Sequence, residues 1–268
     1  MPKTVLVVDN DFFFVEFLAE LLESRAYNVI KAYDGKEAIS KIDDENIDLM
    51  FVDIVMPKID GTELIKFVRM KYPENCFSIV AVSGTIIERI DTLSNIGADY
   101  YIAKGPMEKM AANINELLDN IDNNSFDKSQ GAKIVESGNL FPRREAIDLL
   151  DSIQFHKAII ECVGFGIVNI DLDARIIGIN SSALNILNKT TIELLNRPVT
   201  DIFPHEDRSK LINTIKNFIH NSESSEAVYT TIIDSKKIRV VVTLLTVEKK
   251  NIGLILALED CDKWEEQA

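Results

Sequence analysis
Short apolar runs alternate with amphipathic stretches from residue 4 to about residue 121, and this alternation limits the fold more than any other feature of the chain. The strand candidates are Val5 to Val8, Val29 to Ala32, Leu49 to Asp53, Ser78 to Val82 and Tyr100 to Ile102. Each run is almost wholly apolar, as strands covered on both faces must be. Helical spacing fills the intervals at 11–24, 35–45, 61–71 and 86–96, and follows the last strand at 107–121. Strict strand–helix alternation predicts a five-stranded parallel sheet with helices on both sides and right-handed crossovers.

Residues 122–141 are polar, carry Gly and Ser, and show no sustained period, so they are read as a linker between domains. Pro142 opens a connecting helix over 142–161, whose Ala146, Leu149, Leu150, Ile153, Ala158, Ile159 and Ile160 make one apolar stripe. Two short strands at 166–171 and 175–180 come next, then helical pieces at 181–187 and 191–194 and a longer helix at 207–220. Three strands at 227–233, 237–245 and 251–259 close the pattern. That order predicts an α+β domain over 162–260, an antiparallel sheet with its helices on one face.

Charge narrows the partners. With 29 basic and 43 acidic residues the net charge is −14, which repels nucleic-acid backbones and anionic lipids, so neither nucleic acid nor membrane is expected as a partner. Cys76, Cys162 and Cys261 lack paired or metal-ligand spacing and read as reduced thiols of a cytoplasmic protein. No signal segment precedes the first strand, and no apolar run is long enough to span a bilayer.

In a parallel sheet the C-terminal ends of the strands share one edge, where distant residues meet. Asp9, Asn10 and Asp11 follow the first strand, Asp53 ends the third, Ser83 follows the fourth and Lys104 the fifth. Carboxylates, a hydroxyl and an ammonium gathered around Asp53 suit phosphoryl transfer to that carboxylate, with Mg²⁺ on oxygen ligands. Taken singly, Asp9 and Asp11 read first as helix caps, and only their placement with Asp53, Ser83 and Lys104 on one edge favours the site.

The motifs Val7-Val8-Asp9-Asn10-Asp11, Val52-Asp53-Ile54-Val55-Met56-Pro57 with Asp60-Gly61, Val82-Ser83-Gly84 and Ala98-Asp99-Tyr100-Tyr101-Ile102-Ala103-Lys104 resemble the response-regulator receiver family over residues 1–121. The resemblance implies a flavodoxin-like doubly wound fold. It also implies Asp53 as phosphoacceptor, Ser83 and Lys104 as catalytic partners of the phosphoryl group, and Ser83 and Tyr101 as switch residues. Asp9, Asn10, Asp53 and the Val55 carbonyl become the Mg²⁺ site. The implied donor is a histidine kinase or histidine phosphotransfer protein. Phe13, Phe14 and Phe17 of the first helix offer it an apolar contact, the alternative being burial under the sheet.

Two positions depart from the family pattern. Asn10 stands where a second carboxylate is usual, which removes negative charge from the metal site. Gly105 separates Lys104 from Pro106, which is expected to loosen the aim of the lysine.

The second domain resembles the PAS family through Gly164-Phe165-Gly166-Ile167-Val168, the stretch Asp171 to Asn180, Ile202-Phe203-Pro204-His205-Glu206-Asp207-Arg208 and the closing Leu254 to Asp260. No haem or flavin signal accompanies it, and its ligand, if it has one, is not named by the sequence. A PAS domain of this kind is expected to contact an output protein or a second copy, the homodimer forming through the PAS domain and connecting helix. That helix pairs with its twin or folds back on its own domain.

The expectation is therefore a phosphorelay response regulator without a separate effector enzyme, since residues 261–268 leave no room for one. The competing reading is a phosphate-independent pseudo-receiver scaffold with a ligand-binding or dimerising PAS domain. A small-molecule phosphatase is disfavoured because Ile54 and Val55 follow Asp53 where a proton-donating carboxylate would be needed.

Overall fold
The computed structural model describes residues 2–73, 77–84, 96–122, 133–135, 152, 155–220, 226–248 and 250–261. The chain divides into two compact units, residues 1–152 and 153–268.

The first unit runs β1 (Thr4–Val8), α1 (Phe12–Glu23), β2 (Asn28–Ala32), α2 (Gly35–Asp44), β3 (Leu49–Asp53), α3 (Gly61–Lys71), β4 (Ser78–Ser83), β5 (Tyr100–Ala103), α4 (Met107–Asp122) and β6 (Lys133–Val135). Its strands pair in the order β2-β1-β3-β4-β5-β6, all in parallel. Alternation divides the side chains between two faces. Val5, Val7, Leu49, Phe51, Val80, Val82, Tyr100 and Ile102 pack with Phe14, Val15, Leu18 and Leu22 of α1 and with Met110, Ile114, Leu117 and Leu118 of α4. The intervening Leu6, Val8, Met50, Val52, Ile79, Ala81 and Tyr101 are also buried, as are Ala38, Ile39 and Ile42 of α2 and Leu64, Ile65 and Val68 of α3.

The three helices α1, α2 and α3 start on the same chemistry. Asp11, Asp34 and Asp60 each accept a backbone N–H from the first turn, so the chain leaves each strand end and enters the next helix through a capping carboxylate. The expected helix at 86–96 falls, apart from Ile96, outside the described residues. The stretch read as an irregular linker contributes β6, a sixth strand paired to β5 as Tyr100↔Lys133, Tyr101↔Ile134 and Ile102↔Val135. Three residues are too few to show a period in the sequence.

The second unit runs β7 (Gly166–Ile170), β8 (Ile176–Ile179), α5 (Ser181–Leu187), α6 (Thr191–Leu194), a 3-10 turn (Val199–Ile202), α7 (His205–His220), β9 (Glu226–Ile233), β10 (Lys236–Val247) and β11 (Lys250–Asp260). The antiparallel order β8-β7-β11-β10-β9 sets the first strand beside the last. Tyr229, Ile233, Ile238, Val240, Val242, Leu254, Leu256 and Leu258 turn one face of the sheet inward against Ile186, Leu187, Leu194, Leu211, Ile215 and Phe218. Period-2 burial in β9 and β10 reflects that one-sided cover.

The turns follow local chemistry. Asp171 Oδ1 accepts from the backbone N–H groups of Asp173 and Arg175 and closes the β7–β8 turn, with Ala174 at φ 58°. Asp234 and Ser235, at φ 48° and 68°, make the two-residue turn between β9 and β10.

Asn180 caps α5 and does more than cap. Its Oδ1 accepts from Ala183 N at 2.9 Å and Ile167 N at 2.8 Å, while Nδ2 donates to the carbonyls of Ile160 and Phe165, each at 2.9 Å. The residue is 1% exposed, so an alanine there leaves several backbone groups without partners. Asn180→Ala is expected to destabilise this unit by about 2 kcal/mol, read as a lowered denaturation midpoint of the second transition.

Of the expected connecting helix, residues 142–151 lie outside the described residues, as do Ile153 and Gln154. Helical structure is present over 155–162, with Phe155, Ile159 and Ile160 exposed. Among the described residues no helix is long and apolar enough to cross a membrane.

Candidate functional site
Four strands deliver the site to one sheet edge. Asp53 is the last residue of β3 and Ser83 the last of β4, while Asp9 and Lys104 directly follow β1 and β5. Backbone pairing continues past the strand ends: Asp9 N donates to Ala32 O, Ile54 N to Val82 O and Lys104 N to Ser83 O. These bonds fix where each side chain starts.

Asp9 is fully buried, Asp53 is 7% exposed and Ser83 2%. The Lys104 ammonium lies 2.6 Å from Asp9 Oδ2 and 3.0 Å from Asp53 Oδ2. Asp9 Oδ1, on its other side, accepts the Asp11 N–H at 2.8 Å. Burial raises the pKa of Asp53, the ammonium of Lys104 opposes that rise, and the charge of Asp9 adds to it. Hydrogen bonds from Lys104 and the Val55 backbone also stabilise the ionised form, and the net direction is upward.

Gly105 does not spoil the aim of Lys104, which reaches both carboxylates; Pro106 meanwhile accepts the Met110 N–H at the start of α4. Tyr101 is 2% exposed, and burial pushes its phenol up to about 12 against a bond from the Ala98 backbone.

The two aspartates of Asp9-Asn10-Asp11 have separate tasks. Asp9 faces Lys104, Asn10 is exposed, and Asp11 Oδ1 accepts from Phe13 N at 3.0 Å and Phe14 N at 3.3 Å. Asp11 is thus engaged in capping α1. A cation held here would find the buried carboxylates of Asp9 and Asp53. Among the described residues no cluster of three or more His, Cys, Asp or Glu side chains is arranged to bind a metal. The pocket nevertheless accommodates positive charge, for Lys104 places its own ammonium across both carboxylates. Two anionic groups facing one ammonium leave a net negative charge, and hard oxygen donors suit Mg²⁺.

The aromatic face of α1 differs from expectation. Phe12 and Phe13 are 56% and 77% exposed, whereas Phe14 is 8% exposed and Phe17 only partly so. Phe14 and Phe17 therefore do not form the exposed contact expected of them. The helical period sends Phe14, Val15, Leu18 and Leu22 inward and leaves Phe12 and Phe13 outside. Phe12 lies stacked on Tyr33 at 5.9 Å. Sequence reasoning missed what Phe14 does on the inside, namely face Lys104.

In the second unit His156 and His205 are exposed and Cys162 lies on the surface.

Comparisons with known proteins divide the chain in the same way. Residues 5–122 match the family model described as the response regulator receiver domain, and residues 154–261 match that of the PAS fold. Response regulator GtcR of Aneurinibacillus migulanus is 35% identical over 113 residues, covering 41% of this chain and 46% of that protein. Transcriptional regulatory protein CpxR of Escherichia coli is 37% identical over 100 residues, covering 37% of this chain and 42% of that protein. The matched stretch thus spans less than half of either relative. A CheY-like receiver domain protein from Methanospirillum hungatei is 29% identical, with a TM-score of 0.40, over 46% of this chain and 99% of that one.

Proposed function
We propose, for a chain whose residues 5–122 belong to the response-regulator receiver family and whose residues 154–261 carry the PAS fold, that Asp53 accepts a phosphoryl group and that the PAS domain passes on the resulting state by protein contact. The observation that carries this reading is the Lys104 ammonium held 2.6 and 3.0 Å from Asp9 and Asp53, two buried carboxylates on the C-terminal edge of a parallel sheet. The donor is the phosphohistidine of a kinase or phosphotransfer protein, and the setting is the cytoplasm.

A carboxylate oxygen of Asp53 attacks phosphorus, the P–N bond to the donor imidazole breaks with its electron pair leaving on nitrogen, and the product is an aspartyl phosphate. Asp9, Asp53, Asn10 and the Val55 carbonyl would hold Mg²⁺, which would supply positive charge to offset that of the phosphoryl group. Lys104 leaves the two carboxylates to pair with a phosphoryl oxygen, and the Ser83 hydroxyl donates to another. Tyr101 sits on β5 beside β4, the strand that carries Ser83. That neighbourhood supports reading Tyr101 as the residue that follows the state of the Ser83 hydroxyl. Phe13, exposed at the start of α1, offers the donor an apolar contact. Output runs through the PAS domain and the helical residues before it, to a protein partner or a second copy, and no separate effector enzyme is needed.

Asn10 also supports a second reading, a scaffold that takes no phosphate, because Asp11 is committed to its cap. Labelling by a small phosphoryl donor separates the two. Asn10→Asp restores a unit of negative charge beside the cation and is expected to raise both Mg²⁺ affinity and labelling rate roughly tenfold. Lys104→Ala is expected to slow labelling sharply. Absence of uptake by both the native chain and Asn10→Asp would establish the scaffold.

A further inference from the structure
The ring of Phe14 lies beneath the ammonium of Lys104, with Nζ 4.7 Å from the ring centroid. An ammonium within about 6 Å of an aromatic face is attracted by its quadrupole, more strongly as water is excluded. Water is largely excluded here, since Phe14 is 8% exposed and the Lys104 side chain 25%. The ring is firmly placed. The Phe14 N–H bonds to Asp11 Oδ1, Val15 N donates to Asp11 O at 3.0 Å, and Phe17 packs at 6.3 Å between ring centroids.

The Lys104 ammonium therefore has three neighbours that favour positive charge: Asp9 Oδ2, Asp53 Oδ2 and the face of Phe14. We propose that Phe14 is a positioning residue for Lys104, holding its ammonium across Asp9 and Asp53 in the metal-free pocket so that a divalent cation must displace it to bind. The inference rests on reading this pocket as a Mg²⁺-assisted phosphoryl acceptor. A divalent cation and an ammonium repel each other when both sit on the same carboxylate oxygens. Binding of the metal therefore moves Lys104 off the ring, and the lost attraction weakens the metal's hold. Phe14 thus sets how readily the pocket exchanges its built-in cation for Mg²⁺. It also ties that exchange to α1, the helix whose exposed end carries Phe12 and Phe13.

The test is Mg²⁺ titration calorimetry on the full chain, comparing native protein with Phe14→Leu, Phe14→Tyr, Lys104→Ala and the Phe14→Leu/Lys104→Ala double variant. Leucine keeps an apolar side chain but has no quadrupole. Phe14→Leu is expected to bind Mg²⁺ roughly two- to five-fold more tightly than native protein, and Phe14→Tyr to match native. Phe14→Leu should have no effect on affinity once Lys104 is absent. A purely structural role would lower the melting temperature of Phe14→Leu and of the double variant alike, without a Lys104-dependent change in affinity.

A second readout needs no metal. The Lys104 ε-methylene protons are expected to be shifted upfield by the ring current in metal-free native protein and to return to ordinary values in Phe14→Leu. Equal Mg²⁺ affinities for native and Phe14→Leu, or an effect that persists in the Lys104→Ala background, overturn the inference. So do unshifted ε-methylene protons. A native chain that binds no Mg²⁺ overturns instead the metal-assisted reading of the pocket, and the proton shift then decides the Phe14–Lys104 contact alone.

Discussion

Replacing Asp53 by Asn is expected to abolish phosphoryl uptake and, at neutral pH without divalent cations, to raise the melting temperature of the first domain. Uptake fails because a carboxamide is no nucleophile toward phosphorus at neutral pH. The gain in stability follows from where the carboxylate sits. Burial raises its pKa, Asp9 adds to the rise, and Lys104 only partly offsets it, so the folded-state value lies above the reference of 3.8. A carboxyl group with a raised folded-state pKa contributes stability that is fully present below the unfolded pKa and is lost as pH rises through the folded value. At neutral pH the ionised Asp53 is therefore a net burden on the fold, whereas the amide carries no such dependence. Lys104 keeps its bond to Asp9 in the variant, so no ammonium is stranded. Thermal melts in a chelator across the acidic to neutral range should show Asp53→Asn above native near neutrality, with the gap closing as pH falls into the carboxylate range. A gap of constant size or of opposite sign contradicts this account of the site's electrostatics.

The second large effect is expected from one methyl group. A Cβ on Gly61 would lie 2.1 Å from the carbonyl oxygen of Asp53 and 2.8 Å from Ile54 Cα, both backbone atoms that cannot rotate away. The close approach is built in, because Gly61 N also donates to Ile54 O at 3.1 Å and so draws the start of α3 onto the end of β3. Gly61→Ala must part strand from helix, and a loss of about 3 kcal/mol is expected. Since the displaced carbonyl is that of Asp53, phosphoryl uptake should fall along with stability. Gly84 serves as the control: among the described residues nothing lies within 4 Å of its added Cβ, and Gly84→Ala should stay within about 0.5 kcal/mol of native. Chemical denaturation of the two variants checks both values.

Much of this architecture is readable from residue patterns, and the unreadable parts have physical reasons. Apolar runs at β1, β3 and β4 are unambiguous because both faces of a parallel sheet are covered, and the pattern needs no choice of face. The meeting of Asp9, Asp53, Ser83 and Lys104 follows from topology alone, since parallel strands end on one edge. Asn180 is legible as a cap because it directly precedes a helical pattern, yet its two bonds to Ile160 and Phe165 depend on tertiary placement.

The division of labour in Asp9-Asn10-Asp11 is a different matter. Aspartate suits both a cation site and a helix cap, and only the backbone's entry into α1 assigns Asp11 to capping. The phenylalanines pose the same difficulty. With aromatics at 12, 13, 14 and 17, several rotations of the helix bury a comparable face, and it is packing of Phe14, Val15, Leu18 and Leu22 against the sheet that sets Phe14 beneath Lys104 and leaves Phe13 exposed. β6 was illegible for want of length.

The measurement that bears most directly on the central claim is intact-mass analysis of the native chain after incubation with acetyl phosphate and Mg²⁺, followed by mapping of the modified peptide. The account predicts a gain of one phosphoryl group, labile to hydroxylamine as an acyl phosphate is, absent when a chelator is added and carried by the peptide that contains Asp53. A native chain that gains no mass under these conditions, or gains it on a residue other than Asp53, contradicts it.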